Sequence, residues 1–264
     1  MAKNKLKWIF LYCCIFLFVG GCGKPQPSDK AESAESDMIT VENIAPDHIL
    51  NSDALYWSYT YEELKEKADA IVKVKVLDDL TLENSLADYE SENGWVTNFC
   101  SARSVQALEF YKNEAGISMG DTFLVQQEAA IYMSNGEYFM NSLNGETPLL
   151  RDNTYILYLQ KADTSMSGEL VIMSGENGLI HLENLTEDQQ FIDITVKTLA
   201  EFECGMDEEL KNKLLEAETI SLAPEDIKEN TVELEIGLAE QECDVTLGYE
   251  KTEEGVIAVS IEQE

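Results

Sequence analysis

A serine between two glycines is the first feature of the sequence that could carry chemistry. Ser118 lies in residues 116–120 (GISMG), which match the G-x-S-x-G pattern of serine hydrolases. In those enzymes a strand leads into the serine, a helix follows it directly, and a histidine serves as the general base. Here turn-forming residues precede Ser118, a strand-like run follows it, and His181 is the only histidine further along the chain. We therefore predict no catalytic residue, with a secreted serine hydrolase using Ser118 and His181 as the alternative.

Metal-binding patterns are weak in this chain. The two histidines are isolated and the cysteines beyond residue 22 lie far apart, so no zinc spacing is present. Residues 88–94 (DYESENG) place acids at positions one, three and five of a calcium loop. The glycine comes one residue late and position twelve is Phe99, so an EF-hand is excluded. We predict no metal and no cofactor, and leave open whether the acidic surface binds calcium.

The cysteines divide between the N-terminus and the body of the chain. Cys13 and Cys14 lie in an apolar run, and Cys22 follows it. Three more, Cys100, Cys204 and Cys243, leave an odd number. A disulfide between Cys204 and Cys243 is one alternative in an oxidising compartment, and buried or free thiols are the other.

The N-terminus has the features of an export signal. Lys3, Lys5 and Lys7 precede an apolar run over 8–19, and roughly 12 apolar residues are too few to span a bilayer as a helix. Residues 19–22 (VGGC) resemble a bacterial lipobox. The resemblance implies a signal peptide over 1–21 and a diacylglyceryl group, carrying fatty acids such as palmitate, on Cys22. It also implies a lipid-anchored protein on the extracytoplasmic face of the cell membrane, because two acyl chains hold a protein stably.

The charge balance restricts the partners. The chain has 51 Asp and Glu against 18 Lys and Arg, for a net charge of −33. Nucleic-acid binding requires clustered basic residues, so we exclude it as a function. The same charge would be repelled by an anionic membrane without a covalent anchor.

The mature chain is predicted to fall into three parts. Residues 22–50 begin with GKPQPSDKAESAESD after the cysteine and read as a lipidated flexible tether. Residues 51–185 read as a β-barrel domain. Residues 186–264 read as an acidic appendage of helices and a β-meander, with a separate small domain as the alternative.

Hydrophobic periodicity carries the fold prediction. Thr60 and Glu63 have capping-box spacing at the start of a short helix over 61–70. Alternating runs predict strands, with Asn135-Gly136 as a hairpin turn; the runs are 70–77, 104–110, 122–127, 131–133, 138–140, 154–159, 170–173 and 179–182. Short turns between many strands favour a closed or nearly closed barrel. Helical spacing from Phe191 to Phe202 and over 207–217 precedes three further strands, 232–238, 243–249 and 256–261.

The order of these segments is similar to that of small uncharacterised Gram-positive lipoproteins. The runs ADAIVKVKV, RSVQALEFYK, GDTFLVQQ and LLRDNTYILYLQKA carry the resemblance over about residues 60–183. More distantly the layout resembles the OB-type barrel of netrin-like modules. The resulting fold class is mainly β (α+β): a small antiparallel OB-like barrel with a short N-terminal helix, then a helical segment and a C-terminal β-meander.

Aromatic residues cluster just before the barrel. Such a cluster favours protein or carbohydrate contacts, and packing in the core is the alternative interpretation. Its members are Tyr56, Trp57, Tyr59 and Tyr61. We predict a non-catalytic binding module that engages an unknown protein or ligand at the cell envelope. A protease-inhibitor or immunity-type lipoprotein is a further alternative.

Overall fold

The computed structural model describes one unit of the chain, Met38–Glu264, with gaps. The described residues are 38–53, 58–90, 96–144, 147–162, 170–173, 175–181, 189–203, 208–222, 231–238, 242–252 and 255–263. The predicted signal peptide, the predicted lipid attachment site Cys22 and the cysteine Cys204 lie outside them.

Strands dominate the described residues. They are β1 (Ile49–Ser52), β2 (Ala70–Val76), β3 (Ser85–Tyr89), β4 (Val96–Asn113), β5 (Thr122–Gln127), β6 (Ala129–Ser134), β7 (Glu137–Leu143), β8 (Thr154–Lys161), β9 (Leu170–Ile172), β10 (Leu179–His181), β11 (Thr219–Leu222), β12 (Thr231–Gly237), β13 (Glu242–Thr252) and β14 (Gly255–Gln263). The α-helices are α1 (Tyr61–Lys67), α2 (Gln189–Thr198) and α3 (Glu208–Glu216), and a π-helical turn, Leu199–Glu203, follows α2. No helix among the described residues has the length and apolar character needed to cross a membrane.

Helix α1 starts where the capping box predicts. The Thr60 backbone N–H donates to Glu63 Oε2 (3.0 Å), and the Glu63 N–H donates to Thr60 Oγ1 (3.4 Å). The helix ends at Lys67, three residues before the predicted end, because Ala70 already begins β2. Tyr61 and Leu64 are its buried residues. The cap therefore fixes the start of the helix, and burial of one apolar stripe anchors it to the sheet.

Five strands close into a barrel, which confirms the predicted OB-like architecture. They follow the order β8, β2, β4, β5, β9, and pairing of β9 with β8 closes the circle. One pair departs from the antiparallel prediction, because β9 pairs with β5 in parallel. Val72, Val74 and Val76 are fully buried in the barrel core, as period-two alternation requires.

The other face of β2 is also covered. The sequence predicts a half-buried strand here, but Ile71 and Lys73 are 2% and 4% exposed. Ile71 packs in a second core with Tyr158 of β8, Ile194 of α2 and Ile236 of β12. The C-terminal elements thus share a core with the outside of the barrel. Within them, the predicted helices and the antiparallel meander are observed, with β11 as an additional strand.

A separate three-stranded sheet carries the predicted hairpin. The order is β1, β7, β6, and β1 pairs with β7 in parallel. Asn135 and Gly136 have φ of 52° and 85°, as a two-residue turn of the predicted type requires. Part of the segment predicted as a tether, residues 22–50, is among the described residues. Residues 38–50 contain two 3-10 turns, the buried Ile44 and the start of β1, because apolar side chains there pack against Leu80 and Ile131.

Candidate functional site

The structure places Ser118 and His181, the two residues of the alternative hydrolase prediction, at different parts of the barrel wall. Gly120, two residues after Ser118, donates its N–H to the Ala107 carbonyl of β4, whereas His181 of β10 pairs with Tyr155 of β8. Along the path of paired strands from His181, β8 and β2 come before β4, the strand that Gly120 contacts. Strand β5 follows Ser118 in place of the helix that a nucleophile elbow requires.

Each of these residues has local contacts. The Ser118 N–H donates to Asp121 Oδ2 at 3.1 Å, which stabilises the turn before β5. The His181 ring stacks on Tyr155, with 4.6 Å between ring centroids, and its Nε2 lies 3.4 Å from Asn153 Oδ1. These contacts fit the roles of a turn residue and a packed strand residue.

The cysteines and acidic residues have no common site in the described residues. Cys100 is a buried thiol in β4. Cys243 belongs to β13, but its side chain, like all of Cys204, lies outside what the structure describes, so the disulfide stays a prediction. No group of three His, Cys, Asp or Glu side chains suited to a metal is found in the described part of the chain.

A buried arginine connects the barrel to the loop before β3. Arg103 is fully buried, and its guanidinium donates to Asp78 Oδ1 (3.3 Å), to the Asp78 carbonyl (2.6 Å) and to the Leu149 carbonyl (2.8 Å). Burial lowers the pKa of Arg103, and the charge of Asp78 opposes that shift. Asp78 also accepts the Ser104 backbone N–H at 3.1 Å. This network holds the 77–84 loop and residues 147–150 against β4.

An open groove lies beside the barrel, on one face of the three-stranded sheet. Side chains alternate between the two faces of a strand. Ile131 and Met140 point to the face that packs on Ile44 and Leu80. The other face forms the floor of a cavity of about 530 Å³. Its floor residues come from all three strands: Leu50, Ser52, Tyr132, Ser134, Phe139, Asn141 and Leu143.

The N-terminal end of β4 forms the wall of this groove. Val96, Thr97, Asn98 and Phe99 line the cavity, and Asp53 and Asn135 complete the lining. This end of β4 extends beyond the barrel as an arm paired with β3. The arm is fastened to β6, since Ser85 Oγ accepts the Ile131 N–H (2.9 Å) and Tyr89 Oη donates to the Met133 carbonyl (3.1 Å).

Asn141 is the most unusual residue of the groove floor. It is 6% exposed, and its Nδ2 donates to Ser52 Oγ at 2.9 Å. Its Oδ1 has no hydrogen-bond partner among the described residues. A buried acceptor without a partner costs about 1–3 kcal/mol, so natural proteins hold few of them. The groove floor therefore presents an amide with unused hydrogen-bonding capacity.

Aromatic rings lie beside this amide. Tyr132 and Phe139 are opposite each other on β6 and β7, with 6.0 Å between ring centroids and 18° between planes. His48 stacks on Phe139 at 4.3 Å, and its Nδ1 lies 3.2 Å from the Tyr138 carbonyl. Burial raises the pKa of Tyr132, so its hydroxyl is neutral at physiological pH. His48 thus covers one face of the Phe139 ring.

A second cavity, of about 520 Å³, lies on the opposite side of β1. Ile49 and Met140 line it from the sheet, and Leu80 and Leu150 line it from the loops. Leu150 is 45% exposed there. Its lining also includes Arg151 and the acids Asp79 and Glu42, which makes it different in charge from the groove.

The amino-acid sequence alone did not indicate the groove. The signal was present in β7, because Asn141 and Ser142 interrupt the apolar run that begins at Tyr138, and asparagine is depleted in strands. Whether Asn141 lies on the same face of the sheet as Tyr132 depends on the register between β6 and β7. Only the folded structure gives this register. Comparison of the chain with protein-family models, curated proteins and solved structures found no match.

Proposed function

We propose that this chain is a membrane-anchored extracytoplasmic lipoprotein that acts as a non-catalytic binding module at the cell envelope. The groove between the β3–β4 arm and the three-stranded sheet is its binding site. The observation that carries the proposal is a cavity of about 530 Å³ floored by two aromatic rings and a buried amide with an unused acceptor. Small-molecule sites occupy about 300–1,000 Å³ and combine aromatic walls with few placed polar groups.

The anchor part of the proposal rests on the sequence. Three lysines, a short apolar run and VGGC at 19–22 support lipid attachment at Cys22. Metabolic labelling with a fatty-acid probe should mark the wild-type chain and leave Cys22→Ala unlabelled. Equal labelling of both chains would refute the anchor. Cys100→Ala is the matched control and should retain the label.

Native mass spectrometry tests the binding part. The full chain, released from its native membrane in mild detergent, should carry a ligand adduct. Asn98→Trp places a large side chain on the exposed wall of the groove and should remove the adduct. Leu150→Ala, in the second cavity, is the control and should retain it. An adduct present equally in the wild type and Asn98→Trp, or absent from both, would contradict a binding role for the groove.

A further inference from the structure

We infer that the groove binds an uncharged saccharide, an inference that rests on the proposed binding function and names its ligand class. The first step is the charge of the lining. Among the described residues that line the groove there is no lysine or arginine, and Asp53 is the only carboxylic acid. Phosphorylated, sulfated and carboxylated ligands need a cation or a set of oriented N–H donors. The side chains lining this groove therefore select against anions.

The second step is the chemistry of the polar groups. The lining includes the hydroxyl groups of Ser52, Thr97 and Tyr132 and the amides of Asn98 and Asn141. Within the protein, Thr97 Oγ1 donates to the Asp88 carbonyl (3.3 Å) and Ser52 Oγ accepts from Asn141 Nδ2 (2.9 Å). Hydroxyls and amides both donate and accept, which matches the hydroxyl groups of a sugar. The Asn141 Oδ1 is buried and lacks a partner among the described residues, so it can accept one such hydroxyl when the side chain turns toward the cavity that it lines. Pairing this atom would recover part of the cost of its burial.

The third step is the aromatic floor. Tyr132 and Phe139 lie within 18° of parallel and share the sheet face that carries Asn141. The face of an aromatic ring is electron-rich, and the C–H groups on one face of a pyranose are slightly positive. Tyr132 is 7% exposed and His48 stacks on Phe139 at 4.3 Å, so the C–H face of a sugar ring would contact the part of these rings that lines the cavity while its hydroxyl edge reaches the amides.

A peptide is the competing occupant, and the edge of β6 argues against it. An added peptide strand needs free backbone N–H and C=O groups at a sheet edge. On the β6 edge, the Ile131 N–H donates to Ser85 Oγ and the Met133 carbonyl accepts from Tyr89 Oη. The β3–β4 arm thus occupies backbone groups that a peptide would use on this side.

Isothermal titration of the full chain in detergent tests the ligand class. The probes are cellotriose, maltotriose and triacetylchitotriose as neutral saccharides, a sulfated heparin trisaccharide, and a pool of seven-residue peptides. At least one neutral saccharide should bind saturably, and the sulfated probe should not bind. Asn141→Leu, which is similar in size and removes the amide, should weaken that binding at least tenfold.

Two further variants keep the test decisive. Asn98→Trp, at an exposed wall position, should abolish saccharide binding even if Asn141→Leu fails to fold. Leu150→Ala should leave the Kd unchanged. Failure of every neutral saccharide to bind folded protein, or a Kd unaffected by Asn98→Trp, would overturn the saccharide assignment. If the native adduct is lost in Asn98→Trp while peptides bind and saccharides do not, the binding function stands and only the ligand class is wrong.

Discussion

Replacement of Arg103 by methionine should strongly destabilise the barrel. The guanidinium is fully buried and makes three hydrogen bonds, two to Asp78 and one to the Leu149 carbonyl. Methionine fills similar space but leaves these acceptors without their donor. Each buried unsatisfied acceptor costs about 1–3 kcal/mol, and breaking a buried ion pair from one side costs about 3–5 kcal/mol.

The exposure of Asp78 sets the upper limit of this effect. Its side chain is 32% exposed, so water screens and partly solvates the carboxylate left behind. We therefore expect Arg103→Met to lower the free energy of unfolding by about 3–4 kcal/mol, a large share of the ~5–15 kcal/mol typical of a domain. Asp78→Asn keeps a hydrogen-bond acceptor but leaves the buried Arg103 guanidinium without its carboxylate, so it should also cost about 3 kcal/mol.

Arg151 is the matched control, since it is the only other arginine of the chain. Its side chain is 55% exposed and pairs with Asp79 at 3.2 Å. Arg151→Met should change the free energy of unfolding by less than about 0.5 kcal/mol. The assay is urea unfolding of the full chain in detergent, followed by far-ultraviolet circular dichroism. If the free energies of unfolding of Arg103→Met and Arg151→Met differ by less than about 1 kcal/mol, which is on the order of normal mutational scatter, the buried Arg103 network does not stabilise the barrel as expected.

Three further changes test other parts of the fold. Burial raises the pKa of Glu128, so the free energy of unfolding falls as the pH rises from the unfolded-state pKa through the folded-state pKa. Glu128→Gln should therefore raise Tm at pH 7, with a smaller gain at pH 4. Gly136 has φ of 85° in the hairpin turn, so Gly136→Ala should cost about 1 kcal/mol in urea unfolding, and Gly136→Asn less. Tyr158 Oη lies 2.6 Å from Thr198 Oγ1 in the buried core, so Tyr158→Phe should cost about 1–2 kcal/mol in the same assay.

Each of these predictions has a comparison that could contradict it. The Thr60 N–H lowers the pKa of Glu63, so Glu63→Gln should lower Tm at pH 7 and lower it less at acidic pH. If Tm of the Glu128 and Glu63 variants changed with pH in the same direction, burial would not explain the effect at Glu128. Gly136→Ala and Gly136→Asn of equal stability would argue against backbone strain. A Tyr158→Phe, Thr198→Val double variant should lose less than the sum of the single variants, and additivity would mean that the two hydroxyls do not interact.

The sequence was sufficient for the local features of this chain. Thr60 and Glu63 predicted the start of α1, and Asn135-Gly136 predicted the hairpin of β6 and β7, because capping and turn formation depend on residues three or fewer positions apart. Period-two alternation likewise located the barrel strands and the meander, and their number and short connections indicated a closed barrel. These conclusions follow from chain geometry that acts over a few residues.

Only the tertiary structure decided which faces are covered and which are open. Lys73 looked like a solvent-facing residue of β2, yet the C-terminal elements bury that face. Residues 38–50 looked like the end of a tether, yet their apolar side chains pack on β6 and β7. Arg103 and Asp78 are 25 positions apart, and Asn141 and Ser52 are 89 apart. These residues contact each other only when the strands have the observed register and the sheets pack as they do, and no local sequence pattern encodes either. The groove depends on the same strand register and sheet packing.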